Sequence, residues 1–254
     1  MFKHVIVRRP SPSIADGIKS AQNLGKPDYQ QALSQHNDYI NALQQCGVEI
    51  TVLDADERYP DGCFVEDVAL LTNKCAIITN PGVESRQGEE LGMIDSLKMF
   101  YKNIERIQSP CSLEGGDVMM VGDHFYIGLS DRTNEEGAKQ LINFLEKYGY
   151  TGSVINLKKV LHLKTGLSYL EDNILLVAGE FIGMEEFKSF EKIVIDENDS
   201  YSANCIRVND FVLVPDEHES TRKAIEDAGL KTLVVSMSEF RKLDGGLSCL
   251  SLRF

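Results

Sequence analysis

Residues 118–149 have the sequence VMMVGDHFYIGLSDRTNEEGAKQLINFLEKYG. The two apolar runs at its start flank Gly122 and Asp123, residue types that tolerate the positive φ of a tight hairpin turn. Behind the hairpin, apolar residues recur at the spacing of one helical face, namely Ala138, Leu141, Ile142 and Leu145. The stretch therefore predicts a β-hairpin followed by an amphipathic helix.

The same unit recurs along the chain. Further hairpin patterns have their turns at Asn73, Asn173 and Asn209. Helical patterns follow the first and the last of them, at residues 84–102 and 219–230, and a further apolar strand closes each unit. The units therefore share a pattern of apolar and turn residues, but their sequences are not identical.

The N-terminal segment is a variant of this unit, with a strand at 3–7, a helix at 28–47 and a second strand at 48–54. Units recur about every 40 to 50 residues, as in a supersecondary repeat, and no Pro/Gly/Ser-rich linker separates them. We therefore predict an α/β fold of five strand–helix units in a single closed domain over residues 1–254. An ordinary α/β domain with loosely similar hairpins is the alternative.

The chain is strongly acidic. Lys and Arg total 26 against 39 Asp and Glu, a formal net charge of −13 over 254 residues. A non-specific nucleic-acid binder needs surplus cations to neutralise phosphates, and no run approaches the roughly 20 apolar residues of a membrane span. We therefore expect neither nucleic acid nor membrane as a partner, and a small cationic ligand instead.

The six cysteines are scattered, without a C-x-x-C pair, and the N-terminus MFKHVIVRRP shows no cleavable signal pattern. These features predict a cytoplasmic protein with free thiols.

One histidine and one cysteine stand out as candidates for catalysis. His162 lies in VLHLKTGLSYL, an apolar run at a strand end followed by a glycine-containing loop. Cys249 follows Gly245 and Gly246 in DGGLSCLSLRF, and such glycines allow a ligand to approach a thiol closely. A satisfied core histidine and a buried, inert thiol are the alternatives. We accept those alternatives for most of the other histidines and cysteines, with Cys63 left open.

Two acidic clusters occupy equivalent places, each just before a hydrophobic hairpin. The first contains Asp61, Glu66 and Asp67, and the second contains Glu114 and Asp117. Solvated charges at strand entrances are the alternative. Equivalent ends of successive units tend to face a shared axis in a closed array, where these acids would form a negative pocket for a cation. Metal binding is poorly supported, because no histidine accompanies either cluster locally.

The chain resembles the bacterial dimethylarginine dimethylaminohydrolases, or dimethylargininases, of the guanidino-modifying pentein superfamily. The resemblance runs from end to end, in the segments LGKPDY, FVEDVAL, CAIITNPGVESR, GGDVMMVGDHFYIGLSDRTNEEGA, VLHLKTGLSYL, SANCIRVN and DGGLSCLSLRF. It implies a propeller of five ββαβ-type units around a pseudo-fivefold axis. It also implies hydrolysis of Nω-monomethyl- and asymmetric dimethylarginine to citrulline and an amine, through a covalent thiouronium on a cysteine, with no metal or cofactor. A homodimer is left open.

Carried over by position, the resemblance implies that Cys249 is the nucleophile, His162 the general acid and base, and Glu114 the third catalytic group. The residues implied to bind substrate are Glu66 and Asp67, with Asp61 nearby, for the guanidinium; Arg86 and Arg132 for the α-carboxylate; and the carbonyls of Ile18 and Leu243 for the α-amine.

Other guanidino-modifying enzymes remain as alternatives, either an arginine deiminase or an amidinotransferase. As a family, arginine deiminases carry a helical insertion for which this chain has no room. A catalytically silent arginine-binding protein is disfavoured because a cysteine, a histidine and a glutamate stand at all the implied catalytic positions, and turnover would separate the two. A nucleotide-binding domain lacks any G-x-G-x-x-G or phosphate-loop signature.

Overall fold

The computed structural model of the protein describes residues 1–20 and 24–254. Within these ranges the chain forms fifteen strands. They are β1 (His4–Arg8), β2 (Glu49–Leu53), β3 (Ala69–Leu71), β4 (Ala76–Ile78), β5 (Ile104–Arg106), β6 (Val118–Val121), β7 (His124–Leu129), β8 (Thr151–Asn156), β9 (Leu167–Tyr169), β10 (Ile174–Val177), β11 (Glu191–Val194), β12 (Ile206–Val208), β13 (Phe211–Pro215), β14 (Lys231–Val235) and β15 (Leu252–Arg253).

Five α-helices and a series of short 3₁₀ turns connect the strands in the described part of the chain. The α-helices are α1 (Tyr29–Gln45), α2 (Ile94–Lys98), α3 (Glu135–Lys147), α4 (Glu219–Asp227) and α5 (Ser238–Arg241). None of the described helices is long and apolar enough to cross a membrane.

The strands form five separate three-stranded sheets of one design. In each, a central strand pairs antiparallel with one neighbour and parallel with the other, as β7 does with β6 and β8. The first sheet joins both ends of the chain, because β1 pairs antiparallel with β15 and parallel with β2. The five sheets agree with the predicted five-unit α/β architecture.

Three of the four hairpin turns predicted from sequence contain a residue with the expected positive φ, whereas Asn73 does not have a positive φ. Gly122, Asn173 and Asn209 have φ angles of 57°, 64° and 54°, in the left-handed region that favours glycine and asparagine. The helix predicted from residues 118–149 is α3, which begins after Asn134, whose side chain accepts a hydrogen bond from the Gly137 amide at 2.7 Å.

Two elements differ from the sequence expectation. The helical pattern at 84–102 yields only the short helix α2, preceded by 3₁₀ turns at Glu84–Arg86 and Glu89–Met93. Gly88, with a φ of 93°, interrupts this segment and prevents one continuous helix. The C-terminal strand β15 was not predicted, since two residues are too short for a recognisable pattern.

Candidate active site

A cavity of about 200 Å³ lies where short turns from several units meet. Nearly all of the predicted site residues line it, namely Cys249, His162, Glu114, Ile18, Asp61, Asp67, Arg86, Arg132 and Leu243. Glu66 lines a separate cavity of about 160 Å³ instead. The turn Val65–Val68 carries Asp67, the turn Leu163–Thr165 follows His162, and the turn Ser248–Leu250 carries Cys249.

His162 and Glu114 form a hydrogen-bonded pair in the cavity wall, with Nε2 of His162 2.8 Å from Oε2 of the fully buried Glu114. Oε1 of Glu114 accepts a hydrogen bond from the Gly82 amide at 3.2 Å and lies 3.5 Å from Nη1 of Arg132. Burial lowers the pKa of His162, but the charge of Asp67 and the hydrogen bond to Glu114 outweigh it and raise the pKa to about 9. The imidazole is therefore protonated at neutral pH.

Asp67 lies beside this pair in a charge-balanced cluster. Its Oδ1 accepts a hydrogen bond from the Gly116 amide at 2.9 Å, and its Oδ2 accepts one from Nη1 of Arg86 at 2.6 Å. Burial opposes ionisation, yet the guanidinium of Arg86 holds the pKa of Asp67 below its usual value. Arg86 also donates to both oxygens of Glu89 and to the carbonyl of Phe64. Asp67 is therefore a buried carboxylate that stays ionised.

Gly116 is a position where the cavity wall leaves no room for a side chain. A Cβ atom there would lie 2.9 Å from Oδ1 of Asp67 and 2.9 Å from Cγ of His162. Glycine thus lets the carboxylate and the imidazole pack against the same stretch of backbone.

Cys249 is partly exposed and faces the cavity from the turn Ser248–Leu250. The Gly246 amide donates a hydrogen bond to its Sγ at 3.4 Å. Burial, reinforced by the negative charges of Glu66 and Asp67, raises the pKa of Cys249 to about 12. The thiol is therefore protonated at neutral pH unless a cation lies beside it.

Glu66 has its carboxylate on the other side of the turn that carries Asp67. Its Oε1 accepts hydrogen bonds from Nζ of Lys164 at 2.5 Å and from Nη2 of Arg253 at 3.1 Å. Its Oε2 accepts one from the hydroxyl of Ser248 at 2.6 Å. Side chains near the turn that carries Cys249 therefore occupy the Glu66 oxygens.

Asp61 holds the predicted α-amine contact in place. Both of its oxygens accept hydrogen bonds from the Ile18 amide, at 3.1 and 3.2 Å, and burial raises the pKa of Asp61 to about 6. The neighbouring Gly17 packs so closely that a Cβ atom would lie 2.7 Å from Cδ1 of Leu243. The structure thus brings Ile18 and Leu243 to the same side of the cavity.

Among the described residues, Asp67, Glu114 and His162 each place one potential metal-ligand atom within 4.8 Å of the others. No histidine lies near either cluster in the sequence, as stated above, but in three dimensions His162 joins the acids from a different unit. All three groups have partners within the protein, because Glu114 is hydrogen-bonded to His162 and Asp67 accepts hydrogen bonds from Arg86 and from the Gly116 amide. These contacts account for the clustering of the three side chains.

Two polar residues hold the turns next to His162 and Cys249, and one of them, Asp117, was expected to help form the acidic pocket but does not line this cavity. Asp117 accepts hydrogen bonds from the Leu163 amide at 3.0 Å and from the hydroxyl of Ser130 at 2.6 Å. Asn204 accepts a hydrogen bond from the Ser248 amide at 2.8 Å. The position of Asp117 in an acidic cluster was a usable signal, whereas Asn204 lies in the segment SANCIRVN that carries the resemblance but was assigned no role there.

The chain is similar in sequence to known dimethylarginine dimethylaminohydrolases. Residues 15–198 match the family model for the eukaryotic N,N dimethylarginine dimethylhydrolases. The chain is 56% identical to the N(G),N(G)-dimethylarginine dimethylaminohydrolase of Pseudomonas aeruginosa, with 100% of both chains covered. It is 32% identical to the protein of the same name from Streptomyces coelicolor, with 99% of this chain and 96% of the relative covered.

Two solved structures superpose on this chain along nearly its whole length. A cysteine-to-serine mutant of the Pseudomonas aeruginosa enzyme, complexed with citrulline, superposes with a TM-score of 0.99 at 56% identity over 100% of both chains. The N-terminal domain of the cyanobacterial arginine dihydrolase ArgZ superposes with a TM-score of 0.89 at 17% identity, over 98% of this chain and 97% of that domain. The latter likeness shows the fold alone. Together the two structures confirm the predicted propeller-like α/β fold.

Proposed function

The chain belongs to the dimethylarginine dimethylaminohydrolase family and hydrolyses Nω-methylated arginines to citrulline and methylamine or dimethylamine; we propose that Cys249, His162 and Glu114 carry out this reaction. The observation that supports these roles is that a thiol, an imidazole and a carboxylate line one cavity, with the imidazole and carboxylate 2.8 Å apart. Such a constellation suits nucleophilic attack combined with proton transfer.

The substrate is a small amino acid, and we propose that it is bound as a cation. Asp67 supplies negative charge beside the guanidinium through a charge-assisted hydrogen bond, with Asp61 nearby in the same cavity. Glu66, implied by the resemblance for the same task, contributes its charge from behind the turn, because its oxygens already accept hydrogen bonds from Lys164, Arg253 and Ser248.

The amino-acid end of the substrate lies between Arg132 and Arg86 on one side and the carbonyls of Ile18 and Leu243 on the other. Arginine presents a planar fork that matches a carboxylate. Arg86 already donates hydrogen bonds to Asp67 and to other groups of its buried cluster. Most of the binding of the α-carboxylate therefore falls to Arg132.

The first half-reaction begins when the guanidinium enters. Its charge lowers the pKa of Cys249 from about 12 by Coulomb attraction, and the thiol proton leaves to solvent. The thiolate attacks the guanidinium carbon and forms a tetrahedral adduct. The His162 imidazolium then donates its proton to the methylated nitrogen, the carbon–nitrogen bond breaks, and the amine leaves a thiouronium on Cys249.

In the second half-reaction the neutral His162 takes a proton from water while the water oxygen attacks the thiouronium carbon. The carbon–sulfur bond of this second tetrahedral adduct then breaks, its hydroxyl proton passes to the departing sulfur, and citrulline and the Cys249 thiol are formed. Glu114 holds the imidazole through the bond to Nε2 and stabilises the imidazolium that returns.

Several further expectations belong to the same proposal. The chemistry needs no metal or organic cofactor, and we expect the protein to act in the cytoplasm. Residues 1–254 act as one domain, which the pairing of β1 with β15 supports because it joins the two ends of the chain. A homodimer is compatible with this scheme.

Replacement of the nucleophile tests the proposal directly. Because an alcohol is far less ionised than a thiol at neutral pH, Cys249→Ser should lose citrulline and amine formation from methylarginine while keeping the wild-type melting temperature. A thiol-directed, arginine-like electrophile followed by peptide mapping should label Cys249 and spare the partly exposed Cys111. Label on Cys111 or Cys63, together with a fully active Cys249→Ser variant, would overturn the assignment.

A further inference from the structure

A single side chain connects the two turns that carry the proposed nucleophile and base. Asn204 is 7% exposed and follows the 3₁₀ turn Glu197–Ala203. Its Oδ1 accepts a hydrogen bond from the Ser248 amide at 2.8 Å, and its Nδ2 donates to the hydroxyl of Ser248 at 3.1 Å and to the carbonyl of Lys164 at 3.0 Å. Ser248 precedes Cys249, and Lys164 follows His162 by two positions. One amide thus bonds both catalytic segments.

Packing confirms that the nucleophile turn is shaped around this amide. A Cβ atom on Gly246 would lie 2.4 Å from Cγ of Asn204, so the side chain of Asn204 lies directly against the Gly246 backbone. Tyr201, from the same segment as Asn204, donates its hydroxyl to the carbonyl of Gly245 at 2.9 Å. The Gly246 amide in turn donates to Sγ of Cys249. Asn204 therefore supports the backbone that holds the sulfur.

We propose that Asn204 is a positioning residue that sets Cys249 against His162. Its Oδ1 holds the nucleophile turn, and its Nδ2 holds the turn that follows His162. The proposal rests on the catalytic roles proposed above for those two residues. Only a group that accepts and donates in one plane satisfies both turns, which asparagine does and a carboxylate does not. A displacement of about 1 Å between reacting groups costs on the order of a hundredfold in rate.

Asn204→Asp tests the donor of the amide separately from its acceptor. The variant keeps the shape and the acceptor for the Ser248 amide, but places an oxygen against the carbonyl of Lys164. We expect kcat to fall roughly ten- to a hundredfold, with KM for methylarginine within about threefold of wild type because the groups that bind substrate are untouched. When the new carboxyl is protonated it donates again, so the ratio of variant to wild-type kcat should recover as the pH falls.

Asn209→Asp is the matched control. Asn209 also makes three hydrogen bonds between segments, accepting from the Phe2 amide at 2.8 Å and donating to the carbonyls of Phe2 at 3.1 Å and Cys46 at 2.9 Å. It lies in a hairpin turn and lines a different cavity from the one that contains Cys249. This variant should lower the melting temperature and leave kcat and its pH profile unchanged.

Asn204→Ala provides a second variant that folds even if a buried carboxylate is not tolerated. It should show a similar loss of kcat but no recovery at low pH. The rate at which iodoacetamide alkylates Cys249 as a function of pH reports on the sulfur without any turnover, and it should change in both Asn204 variants but not in Asn209→Asp.

Wild-type kcat and a wild-type alkylation profile in both Asn204 variants would overturn the proposal. A loss of kcat that Asn209→Asp reproduces at an equal loss of melting temperature would do the same. A wild-type protein that does not turn over methylarginine contradicts the proposed function instead, and the alkylation profile still tests the role of Asn204.

Discussion

Two histidines of this protein are buried to a similar extent and have pKa values shifted in opposite directions. His36 on α1 is 0% exposed, and His162 in the active-site cavity is 9% exposed. Burial, with the charge of Arg9, lowers the pKa of His36 to about 4, whereas the pKa of His162 is about 9. Burial alone therefore does not decide the protonation of a histidine in this fold.

The groups around each histidine determine whether its pKa is lowered or raised. Neither ring nitrogen of His36 has a hydrogen-bond partner among the described residues, and its ring centroid lies 6.4 Å from that of Phe240. His162 instead has Nε2 against Glu114 and the charge of Asp67 nearby. An apolar site makes a histidine neutral and inert, and two carboxylates make an equally buried one a proton donor.

The largest expected difference between the two regions is in turnover. His162→Gly should lower kcat on methylarginine on the order of a thousandfold or more, because one imidazole serves both half-reactions. His36→Leu should leave kcat unchanged, since it replaces a neutral, unpartnered ring by an apolar side chain. Steady-state rates of citrulline formation measure both.

A leaving group that needs no proton sharpens this test. An S-alkyl thiocitrulline releases a thiolate, so His162→Gly should still form the thiouronium adduct on Cys249, visible by mass spectrometry, but should hydrolyse it slowly. Wild-type kcat in His162→Gly, or an equal loss of kcat in His36→Leu, would contradict the conclusion that His162 and not His36 transfers protons.

Removing the negative charge beside His162 should have the next largest effect. Glu114→Gln keeps the shape but lowers the pKa of His162, so less imidazolium is present at neutral pH. We expect kcat to fall about a hundredfold, with KM changed less and the high-pH limb of the rate moved toward lower pH. A pH profile from 5 to 9 measures this, and a Glu114→Gln profile that overlays wild type would show that Glu114 does not set the charge of His162.

Substrate binding should show a smaller effect. Loss of one bidentate, charge-assisted contact costs about 1.5–3 kcal/mol, so Arg132→Ala should bind methylarginine roughly ten- to a hundredfold more weakly. Agmatine lacks the α-carboxylate and should be a poor substrate for wild type. Values of kcat/KM for methylarginines, arginine and agmatine check this, and a ranking led by arginine or agmatine, or left unchanged by Arg132→Ala, would contradict the proposed pocket.

The five-unit fold was predictable because each unit has its own local signals, namely turn residues and the spacing of apolar residues. Gly122, Asn173 and Asn209 mark hairpin turns by their tolerance of positive φ, and all three have it. The strand β15 was not predictable, because its pairing with β1 depends on the two chain ends meeting in space. Local patterns specify local elements, whereas the pairing of β15 with β1 depends on tertiary structure.

The site was only partly predictable for the same reason. Glu66 and Asp67 are consecutive acids in one 3₁₀ turn, and the sequence gives no basis for separating them. The structure turns Asp67 toward His162 and Glu66 toward Lys164 and Arg253. Asp67 is paired with Arg86 of its own unit, whereas Glu66 is paired with Lys164 and Arg253 from other units, and these partners become known only in three dimensions.

The smallest expected effect is on stability as a function of pH, where the two histidines should have opposite signs. The pKa of His36 in the native protein, about 4, lies below its ordinary value of 6.5. Below pH 6.5 the unfolded chain therefore binds a proton that the native protein does not, and stability is lost as the pH falls toward 4. His162, with a pKa of about 9, is stabilising below pH 6.5, and this contribution is lost as the pH rises from 6.5 to 9.

Between pH 7 and pH 5, titration of His36 should remove about 2 kcal/mol from the free energy of unfolding. His36→Leu cannot take up this proton, so its free energy of unfolding should decline less steeply over that range than that of wild type. His162→Gly should keep the wild-type decline on the acid side and become flatter between pH 7 and pH 9. Urea melts at pH 5, 7 and 9 measure all three proteins. An acid-side decline that is the same in His36→Leu and wild type would mean that groups other than His36 account for it, and that His36 is not the buried neutral group described here.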